Sequence, residues 1–324
     1  MRNATAAPDD APARTELLAV GQLFLDVLYG PLPTAPVLGE ETFTPTVELI
    51  PGGIANFALA ARSLGARTAL AARIGDGPAS TLVRDHLERA GVDTSPLRVQ
   101  TGWDLQVTTA IAYDGDRALV TGGPTPAEVI DTEVEVADAA AVAVHIGPQD
   151  IPWLDQVDAG RTRVFADVGW DPSGTWDRGV LRHLERCYAI MPNADEAMAY
   201  TRTSSSRDAL HALASLVPLA VVTCGADGAL ALDAATGTEV KVPVTPLGPV
   251  DPTGAGDTFG AALITLLGRG LELRDAVEAS SLAATARAAA VIGPGRTPDL
   301  ATLTTIARQH DLACADALGT LVGP

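Results

Sequence analysis

Lysine is nearly missing from this chain: of 324 residues, only Lys241 is one. A phosphate-binding loop of the G-x-x-x-x-G-K-[ST] kind is therefore excluded, because the neighbours of Lys241 do not fit it. Schiff-base chemistry would have to run through Lys241 itself. Cysteine is almost as scarce. Cys187, Cys224 and Cys314 are odd in number, far apart and without C-x-x-C spacing, which argues against a zinc site or disulfide framework and suits a reducing cytoplasm. The five histidines form no H-E-x-x-H pattern, so each reads as a surface or packing residue. Basic charge is in deficit: 22 basic against 40 acidic side chains give a net charge of −18. That balance argues against non-specific binding to nucleic acid or an anionic membrane, and any anionic ligand must be held by a local device. No apolar run reaches the ~18 residues of a membrane span. The Ala/Pro/Asp-rich start, residues 1–16, reads as a disordered tail rather than a signal peptide.

What is present is apolar and punctuated. Hydrophobic residues make up 47%, enough for a sizeable core, and the length fits two domains or one large α/β domain with an appendage. Strands are expected at Leu17 to Val20, Thr44 to Ile50 and Arg67 to Ala72. Helices are expected at Ile54 to Leu64, closed by Gly65, and at Ser80 to Ala90, closed by Gly91. Two strand-like runs from Val107 to Val120 flank Asp114-Gly115-Asp116, a hairpin signal. With Val27 to Tyr29 and Thr44 to Ile50 they suit a small separate sheet. From residue 140 the pattern alternates. Buried strands at Ala141 to Ile146, Arg163 to Ala166, Tyr188 to Met191 and Leu219 to Thr223 are separated by helices near Leu181, at Asp195 to Tyr200 and at Asp208 to Leu216. This alternation predicts parallel βαβ units with right-handed crossovers. A hairpin (Ala229 to Asp233, Glu239 to Val242) and a helical last third (Gly256 to Leu267, Leu273 to Ala290, Asp299 to Gln309) follow, with residues 311–324 expected as a tail.

The most informative stretch is Asp251-Pro252-Thr253-Gly254-Ala255-Gly256-Asp257-Thr258-Phe259. Small residues that open a helix aim backbone N–H groups of Gly254, Ala255 and Gly256 into one concavity, and the helix dipole adds positive potential: an anion hole. Asp257 would sit beside the bound anion. A carboxylate there repels a phosphate, so it makes sense only as a proton acceptor or a cation ligand. In phosphoryl transfer the attacking hydroxyl must lose a proton, and a positioned Asp can take it. Taken alone, Asp257 could equally be a helix cap.

The nine-residue run D-P-T-G-A-G-D-T-F resembles the C-terminal motif of the ribokinase-like sugar kinases, the PfkB carbohydrate kinase family. Further matches stand in order along the chain, from about Leu17 to Thr302: Gly21 and Asp26; Gly52-Gly53-Ile54-Ala55-Asn56; Ile74-Gly75-Asp76; Ala90-Gly91-Val92-Asp93; Asn193-Ala194-Asp195-Glu196; and Thr223-Cys224-Gly225-Ala226-Asp227-Gly228. The resemblance implies a ribokinase-like α/β fold: a doubly wound, mainly parallel sheet with helices on both faces, over 17–310. It also implies a small β-sheet lid drawn from about 26–49 and 104–122. It implies an ATP-dependent phosphotransferase with Asp257 as general base and Asp26, Gly52, Gly53 and Asn56 holding the acceptor. Asn193, Thr223, Gly225, Gly228, Gly254, Gly256 and Ser281 are implied on the ATP side, and Glu196 orients Mg²⁺ largely through water. A monovalent cation, K⁺, is implied beneath the anion hole, held by the Asp251 carboxylate, the carbonyls of Thr253, Val291 and Gly293, and the Thr297 hydroxyl.

The chain departs from the family pattern in ways that bear on substrate. Asp171 stands where several acid-sugar kinases have Arg, which disfavours carboxylated sugars, and the acid-rich composition disfavours sugar phosphates. Trp103, Trp170, Phe24 and Tyr29 could stack on a sugar or a base or simply pack. The expected substrate is a neutral sugar, with a nucleoside as the alternative and a non-catalytic sugar sensor behind both. A dinucleotide-dependent oxidoreductase is disfavoured, because no G-x-G-x-x-G opens a helix after a strand. The expected setting is cytoplasmic, with no nucleic-acid or membrane partner, and exposed lid strands are compatible with a homodimer.

Overall fold

Successive residues of Thr15–Val20 (β1) point to opposite faces, and both faces are apolar: Leu17 and Ala19 join one core cluster, Leu18 and Val20 another. A strand buried on both sides belongs inside a sheet covered by helices on both faces. The computed structural model describes residues 14–30, 32–113, 116–125, 133–169, 171, 173–248, 251–293 and 295–322, with 116 and 117 by backbone alone.

After β1 the elements run β2 (Leu23–Tyr29), β3 (Val47–Gly53), α1 (Ala55–Ser63), β4 (Thr68–Ala71), β5 (Arg73–Gly75), α2 (Pro78–Arg89), β6 (Arg98–Gln100), β7 (Val107–Tyr113), β8 (Asp116–Gly122), β9 (Ala139–Ile146), β10 (Arg163–Val168), β11 (Ala189–Ile190), α3 (Ala194–Thr201), α4 (Ser206–Ala214), β12 (Leu219–Thr223), β13 (Ala229–Asp233), β14 (Thr238–Val242), α5 (Ala255–Gly268), α6 (Leu273–Ala288), α7 (Leu300–Gln309) and α8 (Ala315–Leu321). The main sheet has the order β14-β13-β12-β11-β10-β9-β1-β4. It is parallel from β12 to β4, while β13 and β14 pair antiparallel. Strand order reverses at β1, which has β4 on one side and β9 on the other. In open parallel sheets the crevice at such a reversal, beyond the carboxyl ends of the strands, is where ligands bind.

The small sheet is separate, in the order β3-β2-β7-β8. Its register sets Phe24 opposite Gly52 and Asp26 opposite Ile50. Residues expected to touch the acceptor (Asp26, Gly52, Gly53) thus lie on this sheet, and Asn56 follows immediately in α1.

Four expectations need correction or placement. Residues 311–324, expected as a tail, include α8. Leu312, Ala315, Leu318 and Leu321 recur every three residues and pack on the core, and the Cys314 N–H donates to Glu278 Oε2 at 2.7 Å. Residues 15 and 16 belong to β1 rather than to a tail, and the rest of that expected tail, 1–13, lies outside the described residues. The helix near Leu181 is a 3-10 helix, Arg178–Arg186. The tip of the Asp114-Gly115 hairpin and Trp170 lie outside the described residues. No helix among the described residues is long and apolar enough to cross a membrane.

Candidate active site

The helix α5 begins from Gly254, whose φ of 68° puts it in the left-handed region. A Cβ there would also lie 2.5 Å from Arg287 Nη2, so two independent reasons demand glycine. The turn departs from the expected trio of donors in one respect. The Ala255 N–H donates to the Pro252 carbonyl at 3.1 Å. Among the described residues no acceptor is found for the N–H groups of Gly254, Gly256 and Asp257, so these three form the open end of the helix. Asp257, in the first turn, is one-fifth exposed.

Close packing brings residues expected to hold the acceptor toward Asp257. Gly260 lets α5 approach α1, since a Cβ there would be 2.6 Å from Phe57 Cε1. Gly52 lies against Asp26, and a Cβ would meet its Oδ2 at 2.2 Å. Gly53 has φ of 64° and backs onto the Gln22 carbonyl. Burial, then the charge of Asp257, push the Asp26 carboxyl up to about 6, partly offset by Arg287 and a bond from Thr108. Asn56 is buried and its Oδ1 accepts from Arg287 Nη2 at 3.0 Å. Because arginine only donates, the amide must turn its oxygen to Arg287 and its NH₂ away.

On the other side of Asp257 stands His145, at the end of β9. Its Nε2 lies 3.4 Å from Asp257 Oδ1, and its ring meets Phe57 edge-on with centroids 5.6 Å apart. Burial works to lower the pKa of His145, but the bond and charge of Asp257, with the charges of Asp167 and Glu196, outweigh it and raise the value. Asp167, at the end of β10, is pushed well above the usual carboxylate range by burial, with Glu196 and Asp257 adding to the rise and His145 opposing it. Glu196 is not a solvated residue on a helix face. It is buried, its carboxyl is raised by that burial, and it closes a capping box with Asn193: the Glu196 N–H donates to Asn193 Oδ1 at 3.0 Å, and the Asn193 N–H to Glu196 Oε2 at 3.2 Å.

Sequence reasoning missed His145, Arg287 and the part played by Asp167. A signal existed for each. His145 is the polar end of a buried apolar strand, Asp167 likewise, and Arg287 is the one charged residue in Leu282 to Val291.

Of the expected nucleotide residues, Thr223 bridges to Asn193 by backbone, which sets β12 beside the start of α3. Gly225 (φ 54°) faces open space, whereas Gly228 (φ 90°) is forced by the Val242 carbonyl, 1.9 Å from any Cβ. Ser281 is buried within α6, where its carbonyl accepts from Thr285 Oγ1. Several of the oxygens expected to hold K⁺ have partners within the protein. The Thr253 carbonyl accepts from Arg287 Nε at 3.2 Å. Asp251 Oδ1 accepts from the N–H and hydroxyl of Thr253 at 2.9 and 2.6 Å, and Thr297 Oγ1 pairs with Thr258 Oγ1 at 3.4 Å. Val291 is exposed. The Thr253 carbonyl, expected to ligate K⁺, is thus taken by a guanidinium. Asp171, for its part, builds an exposed turn, its carboxyl drawn down to about 2 by the Ser173 hydroxyl and the Trp176 N–H.

The sequence profile of the pfkB family carbohydrate kinases matches residues 33–293. The chain is 27% identical over 259 residues to a ribokinase of Bacillus subtilis, covering 77% of this chain and 85% of that protein. It is 26% identical over 278 residues to a cytidine kinase of Thermococcus kodakarensis, covering 81% and 92%. A solved structure, an E. coli ribokinase II in complex with ATP and Mg²⁺, superposes with a TM-score of 0.77 at 18% identity, covering 91% of this chain and 100% of that one.

Proposed function

This chain belongs to the pfkB family of carbohydrate kinases, enzymes that move a phosphoryl group from ATP to a sugar or nucleoside, and from that premise we propose that its acceptor is a hydroxyl of a neutral sugar and that Asp257 removes the proton. The observation that carries the reading is the position of Asp257, which shares a helix start with the open N–H groups and interacts with Asp26 and Arg287 as well as His145.

On this reading the acceptor hydroxyl lies between Asp26 and Asp257. Its O–H proton passes to the Asp257 carboxylate as its oxygen bonds to the γ-phosphorus, and the bond from phosphorus to the departing ADP oxygen breaks. The N–H groups of Gly254, Gly256 and Asp257 bind the phosphoryl oxygens where charge accumulates. Asn56 donates to an acceptor-sugar oxygen. The small sheet closes over the acceptor and keeps water from the phosphoryl group. Thr223 and Gly225 border the nucleotide, whose phosphates point to the start of α5. The buried pair Glu196 and Asp167, both raised by burial and the second also by the charge of the first, has the chemistry of a site for Mg²⁺ held mostly through water. Mg²⁺ there would neutralise phosphate charge; the chain's part is to hold the carboxylates in place through the Asn193 cap.

A neutral sugar is favoured because Asp26 and Asp257 repel an anionic one. Phe24, half-buried on β2 beside Gly53, keeps a nucleoside as the second reading, since its ring could carry a base. The test is ATP consumption against sugars and nucleosides at equal concentration. A neutral sugar should give the highest kcat/KM; preference for a nucleoside selects the second reading, and no turnover of either overturns both.

A further inference from the structure

We propose that Arg287 is a built-in cation that takes the place of a bound monovalent ion: its guanidinium holds the phosphate-binding turn, the loop after α6 and the acceptor residue Asn56 in one rigid arrangement, so that the enzyme works without K⁺.

The side chain is 4% exposed and issues from the middle of a run of alanines. Its three nitrogens reach three segments that are remote in sequence. Nε donates to the Thr253 carbonyl at 3.2 Å, Nη1 to the Gly295 carbonyl, and Nη2 to Asn56 Oδ1 at 3.0 Å. Carbonyl oxygens from the turn before one helix and the loop after another, with an acidic side chain close by, are the ligands a hard monovalent cation would take. Here they face a guanidinium. Each of these three acceptors is a neutral oxygen. The guanidinium charge is balanced by Asp257, Asp251 and Asp26, which favour the charged form while burial opposes it.

A buried arginine balanced this way is expensive to maintain for packing alone, since an apolar side chain of similar volume would serve. A role at the site accounts for the choice. The planar fork fixes directions that a spherical ion cannot. It turns the Asn56 amide, so that its NH₂ faces the acceptor. It also pins Thr253, one residue before Gly254, and so aims the N–H groups that receive the phosphoryl oxygens. Because Gly254 lies against Nη2, turn and guanidinium are fitted to each other. Arg287 is thus a positioning residue: it reaches the chemistry through Thr253 and Asn56.

A route for rescue exists. A cleft of about 630 Å³ is lined by Asn56, Gly295, Leu59, Ile50, His86 and Arg296, among others, and so borders two of the three acceptors of Arg287. A small cation could enter the space left by a shortened side chain.

The experiment compares wild type, Arg287→Ala and Arg287→Met in K⁺ and in tetramethylammonium at constant ionic strength, reading both rate and Tm. Wild-type kcat and Tm should be the same in the two salts. Arg287→Ala should lose roughly 10²-fold in kcat, the scale of a misaimed anion hole, and its acceptor KM should rise while its ATP KM stays within about threefold. Added K⁺ or guanidinium should return about tenfold of the loss and raise its Tm, whereas Arg287→Met, which fills the space, should show the loss without rescue. The proposal is overturned if wild type needs K⁺, or if Arg287→Ala keeps its rate, or if it folds but neither ion restores rate or Tm. Should the variants not fold, the wild-type comparison decides. The proposal concerns the kinase site assigned above, and the Tm arm separates the two: a protein with no turnover on any acceptor but with the expected salt response of Tm in Arg287→Ala would refute the substrate reading and leave the cation.

Discussion

Two cationic groups flank Asp257, and they differ in kind. Arg287 carries a permanent charge, is almost wholly buried, and donates to neutral oxygens at fixed angles. His145 carries a conditional charge, is about a third exposed, and faces three carboxyl groups, those of Asp257, Asp167 and Glu196. The first shapes the site equally at every pH. The second, on the proposed function, couples the base Asp257 to the proton concentration around it. Division of labour follows: geometry is assigned to the group that cannot titrate, and proton balance to the group that can.

The sharpest way to test the comparison is to remove what both groups surround. Asp257→Asn keeps size and most hydrogen bonds but cannot accept the proton. It should cost roughly 10²–10⁴ in kcat with nucleotide affinity largely kept. Retention of more than about a third of the wild-type rate, with chemistry limiting, is incompatible with a general base of that strength. Next in size is Gly254→Ala. The added methyl meets Arg287 Nη2 and forces a side chain into the left-handed region. The loss should be about 10²-fold in kcat, on the Arg287 side only, so the pH profile should keep its shape. A changed profile would mean that the two sides are not separate.

The turn before α5 was legible in the sequence because its geometry is written in backbone: small residues and a helix start are a local code. The βαβ alternation was legible for a similar reason, since strands covered on both faces are continuous apolar runs. Arg287 and His145 were not, although each stood out from apolar neighbours. Their meaning arises only where remote segments meet: Asn56 and Arg287 are 231 positions apart. Glu196 shows the same limit. Its capping-box spacing with Asn193 is local, but its burial beside Asp167 and His145 is set by the order of β9, β10 and β11 in the sheet. The helix α8 escaped because it is short and contains Gly319, and its apolar stripe has value only against α7 and the core.

Asp26 offers a smaller effect with a definite sign. Its folded value of about 6 exceeds the ordinary 3.8, so the stability it contributes is complete below the lower value and is lost as pH rises through the upper one. At neutral pH the ionised group therefore weakens the fold while, on the proposed function, serving the acceptor. Asp26→Asn should raise Tm by a few degrees at neutral pH and show little gain at pH 4, yet raise the acceptor KM by about tenfold or more. In wild type the acceptor KM should fall as pH rises through about 6 and be flat in the variant. A Tm that falls at neutral pH would show that Asp26 is held by partners stronger than the burial and the Asp257 charge that raise it.

His145→Gln is the finest test, since glutamine approximates the ring's reach without titrating. The pKa of His145 is raised above 6.5, so the pairing with Asp257 is fully present below that value and disappears as pH rises through the folded one. Two readouts follow. In wild type, kcat should climb by roughly three- to tenfold as His145 loses its proton, because Asp257 facing a neutral imidazole is the stronger base. In His145→Gln that limb should vanish, with the rate near the upper plateau of wild type. The Tm advantage of wild type over the variant should be greatest in mild acid and shrink toward alkaline pH. Asp167 and Glu196 share in raising His145, so Glu196→Gln should move the wild-type limb to lower pH without removing it. An unaltered limb in His145→Gln would assign the titration to another group and leave Arg287 as the one flanking cation with a function.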